Sequence, residues 1–215
     1  MKRRFIALAG ALLLTACPLT GCGKPYNNTD LNMTEDEMPY GSTLVKNTEF
    51  SVPLQYDRRF IEDALAEKLG HYYHALQEND AAEFSAVLFP LYHNYEMETV
   101  YEGKYTDADV VKNTHDAMES LHGGEFDFAL LDITEMITRQ GISEHYDALY
   151  TMLDQLAEDS GQEPVTKDMQ ALYELTIDRY FCNKGEGIRG ETNSVLEGER
   201  LFALKSKDTW YLIYT

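Results

Sequence analysis

The chain has 215 residues, with 37 Asp and Glu against 18 Lys and Arg, a formal net charge of −19. Three of the basic residues, Lys2, Arg3 and Arg4, stand at the very start, and beyond residue 21 the balance is 15 against 37, or −22. Such an excess of acid repels phosphate backbones and anionic headgroups, which argues against nucleic acid as a partner and against a body that lies on a membrane.

The basic start is followed by "FIALAGALLL", an apolar run the size of a signal h-region and well short of the roughly 20 residues that a membrane-spanning helix needs. Two tetrads follow, "LTAC" ending at Cys17 and "LTGC" ending at Cys22, each placing a small residue directly before cysteine. This stretch resembles the lipobox of bacterial lipoproteins, in which the cysteine sulfur is acylated and becomes the first residue. Cys22 is the expected attachment site. The sequence turns polar immediately after it ("GKPYNNTD"), whereas Pro18 after Cys17 fixes φ and removes a donor at the cut. Residues 1–21 are thus read as a lipoprotein signal peptide and 22–55 as a flexible acidic tether, within which "STLVKNTEFSVP" is a short strand candidate. The membrane is then a partner through the N-terminal acyl chains only. If Cys22 is acylated, Cys182 is the remaining thiol, which excludes an internal disulfide. Its surroundings, "DRYFCNKGEG", hold no histidine to activate it and favour a small buried side chain near a strand end.

From residue 56 the pattern becomes periodic. "RRFIEDALAEKLGHYYHALQEN" sets Ile61, Leu65, Tyr72 and Leu76 on one helical face, bordered by Ala64, Leu69 and Tyr73. Asp80 with Glu83 reads as an N-cap and capping-box partner for "AAEFSAVLF", and Pro90 ends that helix or opens another. Thr106 caps a further helix that Gly123 and Gly124 terminate. "FDFALLDITEM", 126–136, reads as a strand. Arg139 to Gly141 turn, and Ser143 caps a helix over 144–160 that Gly161 closes. In "MQALYELTIDRYF" the residues Met169, Ala171, Tyr173, Leu175 and Ile177 alternate with polar ones, as on a half-buried antiparallel strand. A Gly-rich turn over Lys184 to Gly190 follows, and the end is a hairpin around "KSKD" in which Trp210, Leu212 and Tyr214 share the face toward the helices.

The expected fold over 56–215 is α+β: N-terminal helices packed on a curved antiparallel sheet, cone-like, with a helix inserted between strands. "HALQENDAAEFSAVLFPLY" and "LFALKSKDTWYLIY" resemble the opening helix pair and the last hairpin of the nuclear transport factor two-like (cystatin-like cone) superfamily. With the lipobox and the tether, the whole chain is similar to surface lipoproteins of Gram-positive bacteria. That resemblance implies export and lipid anchoring to the outer face of the cell membrane.

Enzymes of that superfamily place an Asp, Glu or His in the cone interior, where burial raises a carboxylate's pKa. Asp132 is the local candidate, sharing a strand face with Phe126, Phe128 and Leu130; one aspartate without a partner is also what a strand leaving the core looks like. Glu67, His71, His74 and Glu78 form an i, i+4, i+7, i+11 stripe of metal-ligating types, almost opposite the apolar face and so expected in water. His93, His115, His122 and His145 form no ligand-spaced group. The 15 tyrosines fit core packing or a ligand surface. No catalytic residue, metal or cofactor is assigned. The sequence reading is a non-catalytic, anchored lipoprotein that binds a partner or small ligand; the alternative is a cone-fold enzyme or metal-binding protein using Asp132 or the Glu67 to Glu78 stripe.

Overall fold

The computed structural model of the protein describes residues 38–138, 144–187 and 191–214. The signal, Cys22, the first part of the tether, the 139–141 turn and Ser143 lie outside the described residues. Two short strands come first, β1 (Leu44–Asn47) and β2 (Leu54–Asp57), paired antiparallel. Helices α1 (Asp63–Glu78), α2 (Ala81–Val87), α3 (Pro90–Tyr95) and α4 (Asp107–His122) follow, with a π-helical turn over Glu96–Val100 continuing α3. Strand β3 (Phe126–Thr138) leads to α5 (Glu144–Asp159), the four-residue α6 (Val165–Asp168) and strands β4 (Met169–Asn183), β5 (Ser194–Ser206) and β6 (Thr209–Tyr214). The fold is α+β, and the six strands form one open sheet in the order β1-β2-β3-β4-β5-β6.

Two expectations change here. The sheet is mixed, because β2 pairs parallel with β3 through Leu54 and Gln55 against Leu131 and Asp132. The folded body also begins before residue 56, correcting the boundary of the tether: Val52 and Leu54 are buried and Tyr40 packs on the core. An ion pair stands at the centre of this entry. Asp57, with no exposed side-chain surface, pairs with Arg59 at 2.5 Å and accepts the backbone N–H groups of Gly41 and Thr43 at 3.0 and 3.4 Å. Arg59 in turn donates to the carbonyls of Met38 and Pro39 at 3.2 and 2.9 Å. Opposite charge and convergent donors hold the Asp57 carboxyl down at about 2.

The helices begin and end where local chemistry dictates. Thr106 and Asp109 form a reciprocal capping box at the start of α4, and Gly123 ends it at φ 94°, a left-handed conformation that glycine adopts without a Cβ clash. Asp80 accepts from the N–H groups of Ala82 and Glu83 at α2, but Glu83 does not complete a box, because its carboxylate turns back to α1. Pro90 sits in the first turn of α3. The last hairpin turns on Lys207 and Asp208, both with positive φ as a type I′ turn requires; Gln170 braces Asp208 by hydrogen bonds of 2.7 and 2.8 Å.

Helices lie on both faces of the sheet. One face packs against α1, α2 and α4 around Leu65, Leu69, Tyr73, Phe84, Phe128, Leu175 and Leu212. The other carries Leu172, Phe202, Leu204 and Ile213 under Leu149 and Leu153 of α5. The inserted helix therefore seals the outer face of β4 to β6. Trp210 is 3% exposed and belongs to the helix-side core, stacked near Tyr173 at 5.3 Å between ring centres, with Nε1 donating to Glu62 at 3.1 Å. The free edge of β6 is covered by the chain between α2 and α3, where the Phe89 N–H donates to the Leu212 carbonyl at 2.9 Å.

Candidate functional site

The groups named from sequence stand apart from one another. Asp132 does not share the face of Phe126 and Phe128. A β-bulge between Phe128 and Leu130 inverts the alternation, so that Leu131 and Ile133 enter the core while Asp132 faces away, accepting from Gln55 Nε2 at 3.1 Å. Burial raises its pKa, but the core between the sheet and α1, α2 and α4 is on the other side. The histidine stripe lies at the surface as expected, yet its partners differ. His71 and His74 each place Nδ1 on one oxygen of Glu83, at 2.6 and 2.7 Å, while Glu78 pairs with Lys184 at 2.6 Å. Among the described residues no group of three or more His, Cys, Asp or Glu is arranged to hold a metal ion. Cys182 is buried at the end of β4, donates to the carbonyls of Asp127 and Gly187, and has its thiol pKa raised by burial, the signature of an unreactive thiol.

A different constellation forms where α3, α4 and β6 meet. His93 and Glu96 are one turn apart, and the π-helical turn that starts at Glu96 is closed by the Tyr101 N–H on the Glu96 carbonyl at 2.9 Å. Such wide turns are uncommon and recur at functional positions. Asp107, in the first turn of α4, accepts from or donates to His93 Nε2 at 2.9 Å according to protonation; as a carboxylate it fixes Nε2–H and leaves Nδ1 an acceptor. Tyr214, near the end of β6, brings its hydroxyl to 3.4 Å from that Nδ1 and stands beside the Glu96 carboxyl. Glu96 is 7% exposed, and its Oε2 has no hydrogen-bond partner.

The electrostatics follow from the neighbours. Burial pushes the Glu96 carboxyl up to about 7, and the hydroxyl of Tyr214 offsets only part of that. Tyr72, Tyr101 and Tyr214 are raised by burial and by the acid beside them, and Tyr92 reaches about 12. Behind Tyr72, the hydroxyl of Tyr73 donates to Glu199 at 2.5 Å, and Arg179 approaches the same Glu199 oxygen at 3.2 Å. Tyr73 thus joins Glu199 to Tyr72, and the ring of Phe84 stands between Tyr72 and Tyr214.

On the outer side of the same π-helical turn lies an open cleft of about 740 Å³. Tyr95, Glu98 and Thr99 form one wall, and Asp159, Glu163 and Asp168 belong to the facing wall around the α5 to α6 connection. Lys207 at the rim pairs with Asp168 at 3.1 Å, so the lining is acidic on balance. One short helical segment therefore presents Glu96 to the interior and Tyr95 and Glu98 to the cleft. No family model, no curated protein and no solved structure matches the chain.

Nothing in the spacing of single residues announced this site. "YHNYE" showed a His and a Glu at i and i+3, but their partners Asp107 and Tyr214 come from other elements, and the π-helical turn has no sequence period of its own.

Proposed function

We propose that the protein is an exported, non-catalytic lipoprotein, anchored through Cys22 to the outer face of a bacterial cell membrane, of the Gram-positive type, whose folded body is a cone-like ligand-binding module. The start of the chain supports the anchor: basic residues, an apolar run of h-region length and a polar sequel to "LTGC". The acidic cleft between the π-helical turn and the α5 to α6 connection carries the binding reading, because it joins flat aromatic area to carboxylates in a volume suited to a small molecule. Its charge selects a cationic ligand. The chain beyond residue 21 carries the same sign, which attracts cations over a longer range.

Radiolabelled palmitate tests the anchor: incorporation is expected in the wild type and is lost in Cys22→Ala, and label that survives there but is lost in Cys17→Ala overturns the site. Spermidine serves as the probe for the cleft. Titration followed by amide NMR should move the signals of Tyr95, Glu98 and Lys207, and the shifts should weaken with salt. Saturable binding with no shift at those residues overturns the cleft assignment.

A further inference from the structure

We propose that Glu96, Tyr214 and His93 form a proton-sharing switch that keeps the π-helical turn over Glu96–Val100 closed while Glu96 holds its proton and opens it when that proton is lost. The switch does not depend on whether the cleft takes a cationic ligand.

With Glu96 neutral, every donor in the chain points the same way. The Tyr214 O–H donates to His93 Nδ1 at 3.4 Å and His93 Nε2–H donates to the Asp107 carboxylate at 2.9 Å, and in the switch the buried Glu96 carboxyl O–H gives its proton to the Tyr214 oxygen beside it. A shift of one proton along each bond reverses the chain. The Glu96 O–H bond breaks as Tyr214 accepts that proton and passes its own to His93 Nδ1, leaving a Glu96 carboxylate and a His93 imidazolium between Tyr214 and Asp107. The count of protons and the net charge are unchanged in this step. Asp107, with its side chain 33% exposed, is the edge of the chain that meets water.

What remains is a buried anion with poor support. Glu96 faces Tyr72 of α1, Tyr92 and His93 of α3, Tyr101 with Tyr105 beyond it in the following loop, Asp107 of α4 by way of His93, and Tyr214 of β6. Farther off, Glu199 of β5 is paired with Arg179 of β4. These neighbours are phenols or acids apart from His93 and the committed Arg179, and Oε2 of Glu96 accepts from none of them. Burying an unsolvated carboxylate costs more than a short segment can resist. The π-helical turn is such a segment: Val100 is exposed, and the chain beyond it passes through left-handed Glu102 and Gly103. Opening it wets Glu96 and moves Tyr95 and Glu98, which line the cleft. Ligand access and interior protonation are thereby coupled through one element.

Hydrogen exchange followed by mass spectrometry on the full chain in detergent tests this, with rates corrected for the intrinsic pH dependence. Between about pH 5.5 and about pH 8.5 the amides of 95–105 should lose protection in the wild type, about tenfold per pH unit above the midpoint, while those of α1 hold. Glu96→Gln should keep 95–105 protected throughout. Tyr214→Phe removes the hydroxyl that favours the Glu96 carboxylate and should move the midpoint to higher pH, and it decides the matter alone if Glu96→Gln does not fold. Protection of 95–105 that is independent of pH in the wild type, equal loss in Glu96→Gln, an unmoved midpoint in Tyr214→Phe, or loss in α1 in step with 95–105 overturns the switch. Failure of spermidine to bind leaves all these profiles in place and counts only against the cleft.

Discussion

Asp57 and Glu96 are both buried carboxyls, and they are driven in opposite directions. Asp57 meets two backbone N–H groups from the β1 entry, a third from Arg59 at 3.2 Å, and the Arg59 guanidinium, and it is held at about 2. Glu96 is buried among phenols, one of its oxygens has no partner, and burial raises it to about 7. Burial raises both; the number and charge of the donors decides the sign. The first arrangement is how a fold fastens its N-terminal strands, with every oxygen occupied. The second leaves an oxygen without a partner beside a histidine and a π-helical turn, a combination that structural needs do not call for.

The strongest test of this contrast is to remove the satisfied acid. Asp57→Ala takes the carboxylate away from the buried Arg59 guanidinium and frees the donors of Gly41 and Thr43, and should cost about 3–5 kcal/mol in urea denaturation at neutral pH. In the wild type the Asp57 contribution is present above its ordinary value of 3.8 and fades as pH falls through about 2, a loss of about 2 kcal/mol. Trp210→Ala supplies an apolar reference of similar burial. Its loss should also be about 3–5 kcal/mol but the same at pH 6 and pH 8, because it leaves a cavity rather than a charge. An unchanged denaturation midpoint would remove Trp210 from the core.

Glu96→Gln should act with the opposite sign. From the ordinary value of 4.5 up to about 7 the folded state binds more protons than the unfolded chain, so this group's stabilisation is whole below that window and is lost as pH rises through it. The variant should match the wild type near pH 4 and exceed it by up to about 3 kcal/mol near pH 8, with local opening of the turn capping the difference. Smallest of all is Glu83→Gln. Its bridge to His71 and His74 is at the surface, and the expected loss is about 1 kcal/mol or less.

The parts of the fold legible in sequence are those whose signals are local. Helix α4 carries both its caps, Thr106 and Gly123, within its own stretch, and the alternation of Trp210, Leu212 and Tyr214 reads directly as one face of β6. The α5 helix between strands was equally plain. Where one residue changes the phase, local reading fails: the bulge at Ala129 puts Asp132 on the far side of the sheet from Phe128. Strands β1 and β2 have four residues each, too few for a period, and their place depends on Asp57, Arg59 and a parallel pairing to β3 some 77 residues away. The Glu96 site was hidden for the same reason. Its members come from α3, α4 and β6, 121 residues apart at the extreme, and a buried acid in "YEMETV" looks like any exposed one until Tyr214 and Tyr101 close over it.

Carboxyl-carbon NMR reads directly whether Glu96 holds a proton near neutrality where Asp57 does not. In the wild type, one glutamate side-chain resonance should titrate at about 7 and be missing from Glu96→Gln, while the Asp57 resonance stays ionised down to about 2. A wild-type protein in which no glutamate resonance moves above about pH 5.5, as for solvated carboxyls, would contradict the account.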